Sequence, residues 1–160
     1  MSSHTTTQTS SPGIRQIDQV DVRGPRFAAW VTTGVLLAVL VASAVSIRLA
    51  AVVLAVQAVV FAIGAVAGPR RHPYGLIFAR LLAPRVGPAT EREPLPPLRF
   101  AQFVGLLFAL AGLAGFTLGA PVAGVAATAF ALTAAFLNAA FGICLGCQIY
   151  PLIARLRRTA

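Results

Sequence analysis

The sequence predicts an all-α polytopic membrane protein. Four transmembrane helices form two hairpins of a parallel repeat, each followed by a short interfacial helix. Three observations lead there. The 160 residues are 58% hydrophobic and only 11% charged, whereas a soluble domain is nearer a quarter charged. The apolar residues gather in charge-free runs of about 20, enough to cross about 30 Å of hydrocarbon as a helix. Thirteen arginines, with no lysine, stand between and beside those runs. A net charge of +9 would also suit nucleic acid. Arginines interleaved with apolar runs do not make one soluble basic face, so no nucleic-acid partner is expected.

The elements follow in order. Residues 1–20 are polar, rich in Ser and Thr, and are expected as a disordered cytoplasmic tail rather than a signal peptide. The single transmembrane domain then covers 21–160. Asp21 can cap the first helix or pair with Arg23 or Arg26. The first span covers about 27–46 and the second about 49–67. The loop 68–99 is cytoplasmic. Within it, Pro73 suits the first turn of a helix over "YGLIFARLL" (74–82), and "APRVGPATEREPLPPL" (83–98) reads as irregular loop. Residues 100–154 carry no charge, which is too long for one span. "LGAP" (118–121) divides them into spans at about 100–118 and 121–142.

Four spans place both termini on one side. That side collects Arg15, Arg23, Arg26, Arg70, Arg71, Arg80, Arg85, Arg92, Arg99, Arg155, Arg157 and Arg158, against Arg48 alone opposite. The positive-inside rule makes it the cytoplasmic side. Small residues at 101, 105, 109 and at 111, 115, 119 allow close helix approach on the third span. Gln57, Thr133 and Asn138 lie at membrane depth and are expected to form interhelical hydrogen bonds.

The halves resemble each other. "RFAAWV" at Arg26 returns as "RFAQFV" at Arg99, and "YGLIFARLL" at Tyr74 returns as "YPLIARLRR" at Tyr150. Both halves start on the same side, so the repeat is parallel, with its axis along the membrane normal. Pro151, like Pro73, then suits the start of an interfacial helix.

The two cysteines lie three residues apart in "FGICLGCQIY" (141–150). Cys144 and Cys147 form the candidate catalytic dithiol. The spacing suits thiol–disulfide chemistry. On a cytoplasmic side a permanent structural disulfide is disfavoured, whereas a cycling dithiol or persulfide carrier is compatible. Two small polarisable residues packing in a helix is the bland alternative. Zinc needs about four ligands, and the chain offers only these cysteines, His72 and His4, so no metal site and no cofactor are expected. Aligning Tyr74 with Tyr150 sets "GPRRH" (68–72) opposite "CLGCQ" (144–148). Arg70, Arg71 and His72 become candidates to stabilise a thiolate or an anionic sulfur substrate. A helix running through Cys147 would disfavour thiolate. A break at Gly142 or Gly146, with a new helix near Gln148, would favour it.

Three passages carry a family resemblance: "VDVRGPRFAAWV" (20–31), "GPRRHPYGLIFARLLAPRVGP" (68–88), and "RFAQFVGLLFAL" (99–110) together with "AAFLNAAFGICLGCQIY" (134–150). The chain resembles the domain-of-unknown-function 4395 family of bacterial four-helix membrane proteins, with Val22 where Pro would be usual. The resemblance implies an integral membrane protein, expected in the bacterial inner membrane, and the arginine asymmetry places both termini in the cytoplasm. The resemblance also implies an association with thioredoxin-like or sulfurtransferase-like proteins.

Three functions compete. One is thiol–disulfide or sulfane-sulfur handling at the Cys144–Cys147 pair. Another is a non-catalytic scaffold that recruits a soluble thioredoxin-like or rhodanese-like partner to the bilayer through the basic face. The third is a homo-oligomeric small-solute transporter, although no span carries an ionisable relay. The acids Asp18, Asp21, Glu91 and Glu93 all lie in tails or loops, which argues against paired-carboxylate enzymes.

Overall fold

A computed structural model describes residues 19–87 and 91–151. The expected tail falls largely on residues 1–18, outside the described residues, as do Arg155, Arg157 and Arg158. Four long helices, α1 (Arg23–Val45), α2 (Ile47–Ala67), α5 (Leu95–Thr117) and α6 (Pro121–Phe141), are apolar and long enough to cross a membrane. Between the hairpins come α3 (Pro73–Ile77), a π-helical turn (Phe78–Leu82) and α4 (Ala83–Val86). A last helix, α7, begins at residue 145 and is described to 151.

Two elements depart from expectation. Gln19–Asp21 (β1) and Arg92–Pro94 (β2) pair as a two-stranded antiparallel ribbon, with Val20 opposite Glu93 and Asp21 opposite Arg92. The stretch expected as irregular loop therefore contains α4, β2 and the first turn of α5. Pro96 and Pro97 lie in that turn, where the missing N–H groups have no helical acceptor to lose. The π-helical turn ends with Ala83 N–H bonded to the Phe78 carbonyl. Pro84 follows, and its ring would crowd the carbonyl four residues back in a regular helix.

Helix ends have identifiable causes. Asp21 accepts the Arg23 backbone N–H at 3.0 Å and also pairs with its guanidinium at 2.8 Å, so pairing and capping coexist. Ser46 alone links α1 to α2, and its hydroxyl oxygen accepts the Leu49 N–H at 3.3 Å. At the far end of α2, Gly68 turns the chain at φ +80°. The carbonyls left open there are taken by Arg99 of α5, which donates to Ala65 O at 3.0 Å and Val66 O at 2.6 Å. Arg26 of α1 approaches the corresponding end of α6 at Gly142.

The spans pack as a ring in the order α1, α2, α5, α6. Leu36, Val39, Leu54, Phe61, Ala109 and Ala131 fill its interior. Apolar side chains such as Leu37, Val52 and Phe130 face outward. Small residues set the closest crossings. A Cβ at Gly115 would run into the Gly124 backbone, one at Gly112 would come 2.8 Å from Leu54, and one at Gly105 would meet the Phe61 ring at 2.8 Å. Of the two small-residue rows read from sequence, positions 105 and 115 make these contacts and Ala109 is buried in the core, while 111 and 119 are exposed. Gly112 and Gly124 complete the set.

Candidate functional site

The chain breaks immediately before the cysteines. Gly142 ends α6 in the left-handed conformation at φ +70°, with its N–H bonded to Asn138 O at 3.1 Å and Ile143 N–H bonded to Leu137 O at 3.2 Å. This is a C-terminal motif that favours glycine. α7 begins at residue 145, with Cys144 as its cap. The Cys147 backbone N–H donates to Cys144 Sγ at 3.3 Å, and Gln148 N–H donates to the Cys144 carbonyl at 3.1 Å. The break thus falls at Gly142. Gly146 lies inside α7, its Cα pressed against Ala101 of α5 so that a Cβ would meet the Ala101 Cα at 2.6 Å. Pro151 is the seventh residue of α7, not its first, which corrects the expected start near Gln148.

This position separates the two thiols electrostatically. The neighbouring Cys147 thiol holds Cys144 below the ordinary thiol range, helped by the N–H groups of Cys147 and Gly146 and opposed by burial and by the Glu93 carboxylate. The partner is pushed well up by the Cys144 sulfur, by burial and by Glu93. The two cysteines are not joined in a disulfide, and both are half-buried. Glu93 and Arg26 complete the surroundings. Burial raises the Glu93 carboxyl, the Arg26 charge lowers it, and Glu91 raises it. The β1–β2 ribbon supplies Glu93. It is a loop acid in sequence, and no local signal marks it.

Cys144 lines an apolar cavity of about 330 Å³ that runs into the bundle as far as the buried Phe61 and Ala131. Asn138 lies on its wall and has no side-chain bond recorded among the described residues. Arg70 and His72 line a second cavity, of about 410 Å³, and the two cavities share Pro25, Leu98 and Gln102 as a common wall. No hydrogen bond or ring contact joins His72 to either sulfur among the described residues. Arg71 is exposed.

His72 is 3% exposed, with its ring edge-on to Tyr74. Desolvation holds it down to about 4, against a weaker opposing pull from Gln102, so it is neutral at pH 7. It therefore brings no cation to a thiolate. The Tyr74 hydroxyl donates to Gln57 Oε1 at 2.8 Å, so Gln57 bonds to α3 and not to another span. Thr133 departs from the interhelical role expected for it. It is exposed, and its hydroxyl returns to Ala129 O of its own helix at 2.9 Å.

Four apolar spans and a paired thiol beside the basic end define a multi-pass membrane protein. The chain belongs to the family described as "Domain of unknown function (DUF4395)", whose model matches residues 20–155. No curated protein and no solved structure matches the chain.

Proposed function

We propose that this inner-membrane protein exchanges disulfides or sulfane sulfur through Cys144 and Cys147 on the cytoplasmic side. The observation that carries the reading is the cap geometry at Cys144. Its sulfur receives the Cys147 N–H at 3.3 Å at the start of a helix, the setting that activates a thiol. Cys144 is then the nucleophile and Cys147 the resolving thiol.

In the first step the Cys144 thiolate attacks a partner disulfide. A mixed disulfide forms and one partner thiolate leaves. Cys144 then no longer shares a proton with Cys147, which removes the chief cause of the raised Cys147 thiol. Glu93 accepts the Cys147 proton, and Cys147 attacks the Cys144 sulfur. The second partner thiolate leaves and the Cys144–Cys147 disulfide remains, two electrons having passed to the partner. A thioredoxin-like protein supplies such a disulfide. A rhodanese-like protein would instead hand Cys144 a single sulfane sulfur. Arg70 and Arg71 attract an anionic partner surface at longer range.

The test is alkylation of the protein in native membranes at pH 7, with each cysteine present alone. Cys144 should react faster than free cysteine and Cys147 more slowly, and the pair should oxidise reversibly. If neither thiol outpaces free cysteine and no disulfide forms, the reading fails.

The halves also read as a parallel repeat. Arg26 and Arg99, aligned at the start of each half, stand beside the ends of α6 and α2 respectively. The downstream bracket, "YPLIARLRR", lies mostly outside the described residues.

A further inference from the structure

The second cavity contains polar groups that the thiol chemistry does not use. His72 is almost fully buried, and although Gln102 lies close enough to favour its protonated form, no hydrogen bond of good geometry reaches either ring nitrogen or Gln102 Oε1 among the described residues. An unpaired buried polar atom costs about 1–3 kcal/mol. The imidazole is also tightly seated. A Cβ on Gly64 would come 2.7 Å from its Cδ2 and 2.9 Å from Gln102. A histidine wedged in place with both nitrogens open is a group awaiting a partner.

The open atoms define what that partner must offer. A neutral imidazole presents one donor and one acceptor, and Gln102 Oε1 only accepts. The ligand must therefore donate twice and accept once, which hydroxyl groups do and a bare anion does not. Charge adds a second requirement. Arg70 and Arg92 line the same cavity. Asp21 lines it too, but its carboxylate is held by Arg23 at 2.8 Å. The lining thus carries two guanidinium groups and one carboxylate, a net positive charge that suits an anion. The remaining wall is largely apolar, with Phe78 and Leu98 among it. It sits beside the end of α2 and the start of α5, the depth of lipid headgroups for helices of this length.

We propose that this cavity binds a glycerol-phosphate group, its hydroxyls bonded to His72 and Gln102 and its phosphate facing Arg70 and Arg92. A membrane lipid such as phosphatidylglycerol and a soluble glycerol phosphate ester both carry this chemistry. The site is independent of the cysteines and stands whether or not they react.

The experiment uses the full chain, delipidated in a neutral detergent. Native mass spectrometry would follow binding of phosphatidylglycerol, phosphatidic acid, phosphatidylcholine and sn-glycerol 3-phosphate. Phosphatidylglycerol should be retained over phosphatidic acid, and phosphatidylcholine should bind least. Gln102→Leu should weaken phosphatidylglycerol about fivefold, the loss of one hydrogen bond, and His72→Phe more than that, the loss of two; both should leave phosphatidic acid unchanged. Arg92→Ala should weaken both anionic lipids. Saturable binding of sn-glycerol 3-phosphate, lost in Gln102→Leu, would assign the soluble source to the same site. Equal retention of phosphatidylglycerol and phosphatidic acid, with no binding of the soluble ester, overturns the proposal. So does unchanged binding in folded Gln102→Leu, which decides the matter if His72→Phe does not fold.

Discussion

The backbone N–H of Cys147 points at the sulfur of Cys144 across 3.3 Å. The two cysteines are thus unequal, one a helix cap and the other a residue of the first turn. The asymmetry depends on the chain reversing at Gly142 before α7 begins.

That dependence can be tested at Gly142. Alanine there would have to hold φ +70°, which costs about 1 kcal/mol or more for a residue with a Cβ. Gly142→Ala should lower stability by about that amount, measured by denaturant titration in detergent. It should also slow alkylation of Cys144, because relief of the strain lets α6 run on and displaces the cap. Unchanged reactivity with reduced stability would separate the turn from the thiol's activation.

Glu93 has two opposite effects that pH can separate. Its charge raises both thiols, so Glu93→Gln should move the alkylation midpoint of Cys144 to lower pH. If Glu93 also receives the Cys147 proton, the same variant should slow resolution of the mixed disulfide. Faster alkylation paired with slower resolution is the expected signature, read by quenched-flow trapping.

Gly64 and His72 form a size-matched pair. Gly64→Ala places a methyl group 2.7 Å from the imidazole and should destabilise the bundle by about 1–3 kcal/mol. Shortening the intruding side chain with His72→Ala should recover part of that loss. A double-mutant cycle then gives a coupling energy of about 1 kcal/mol; additive effects would contradict the contact.

His72 also sets an acid limit on stability. Its folded-state value, about 4, lies below the ordinary 6.5. Between these values the unfolded chain binds the proton that the folded chain refuses. Stability should therefore fall as pH drops from about 6.5 toward 4, by up to about 1.4 kcal/mol per pH unit. His72→Phe should flatten that limb when stability is measured by detergent denaturation across the range. An equally steep limb in His72→Phe would assign the loss to carboxylates.

The four spans were legible in the sequence because charge-free runs of 20 residues admit few solutions in a bilayer. Their ends were less so. Prolines 96 and 97 mark loop and first turn equally well, and the second reading is the correct one. The β1–β2 ribbon was invisible, since "QVD" and "REP" carry neither alternation nor β-branched runs beyond Val20. The cysteine spacing was plain, but Gly142 and Gly146 are equivalent as letters. Only packing of Gly146 on Ala101 assigns one to the turn and the other to a helix contact. Glu93 and Gln102 reach their places through tertiary structure alone, as does the burial that keeps His72 neutral.

The terminal carbonyls of α2 wait for Arg99, a residue made some thirty positions later in the chain, on a helix of the other hairpin. Arg26 stands ready at the end of α6 before α6 exists. During synthesis the first hairpin must therefore enter the membrane with its trailing end unfinished. The second hairpin thus supplies the residue that closes the first, while the first brings Arg26 beside the end of α6. A version of this chain cut at the 88–90 junction should accumulate only when both pieces are made together.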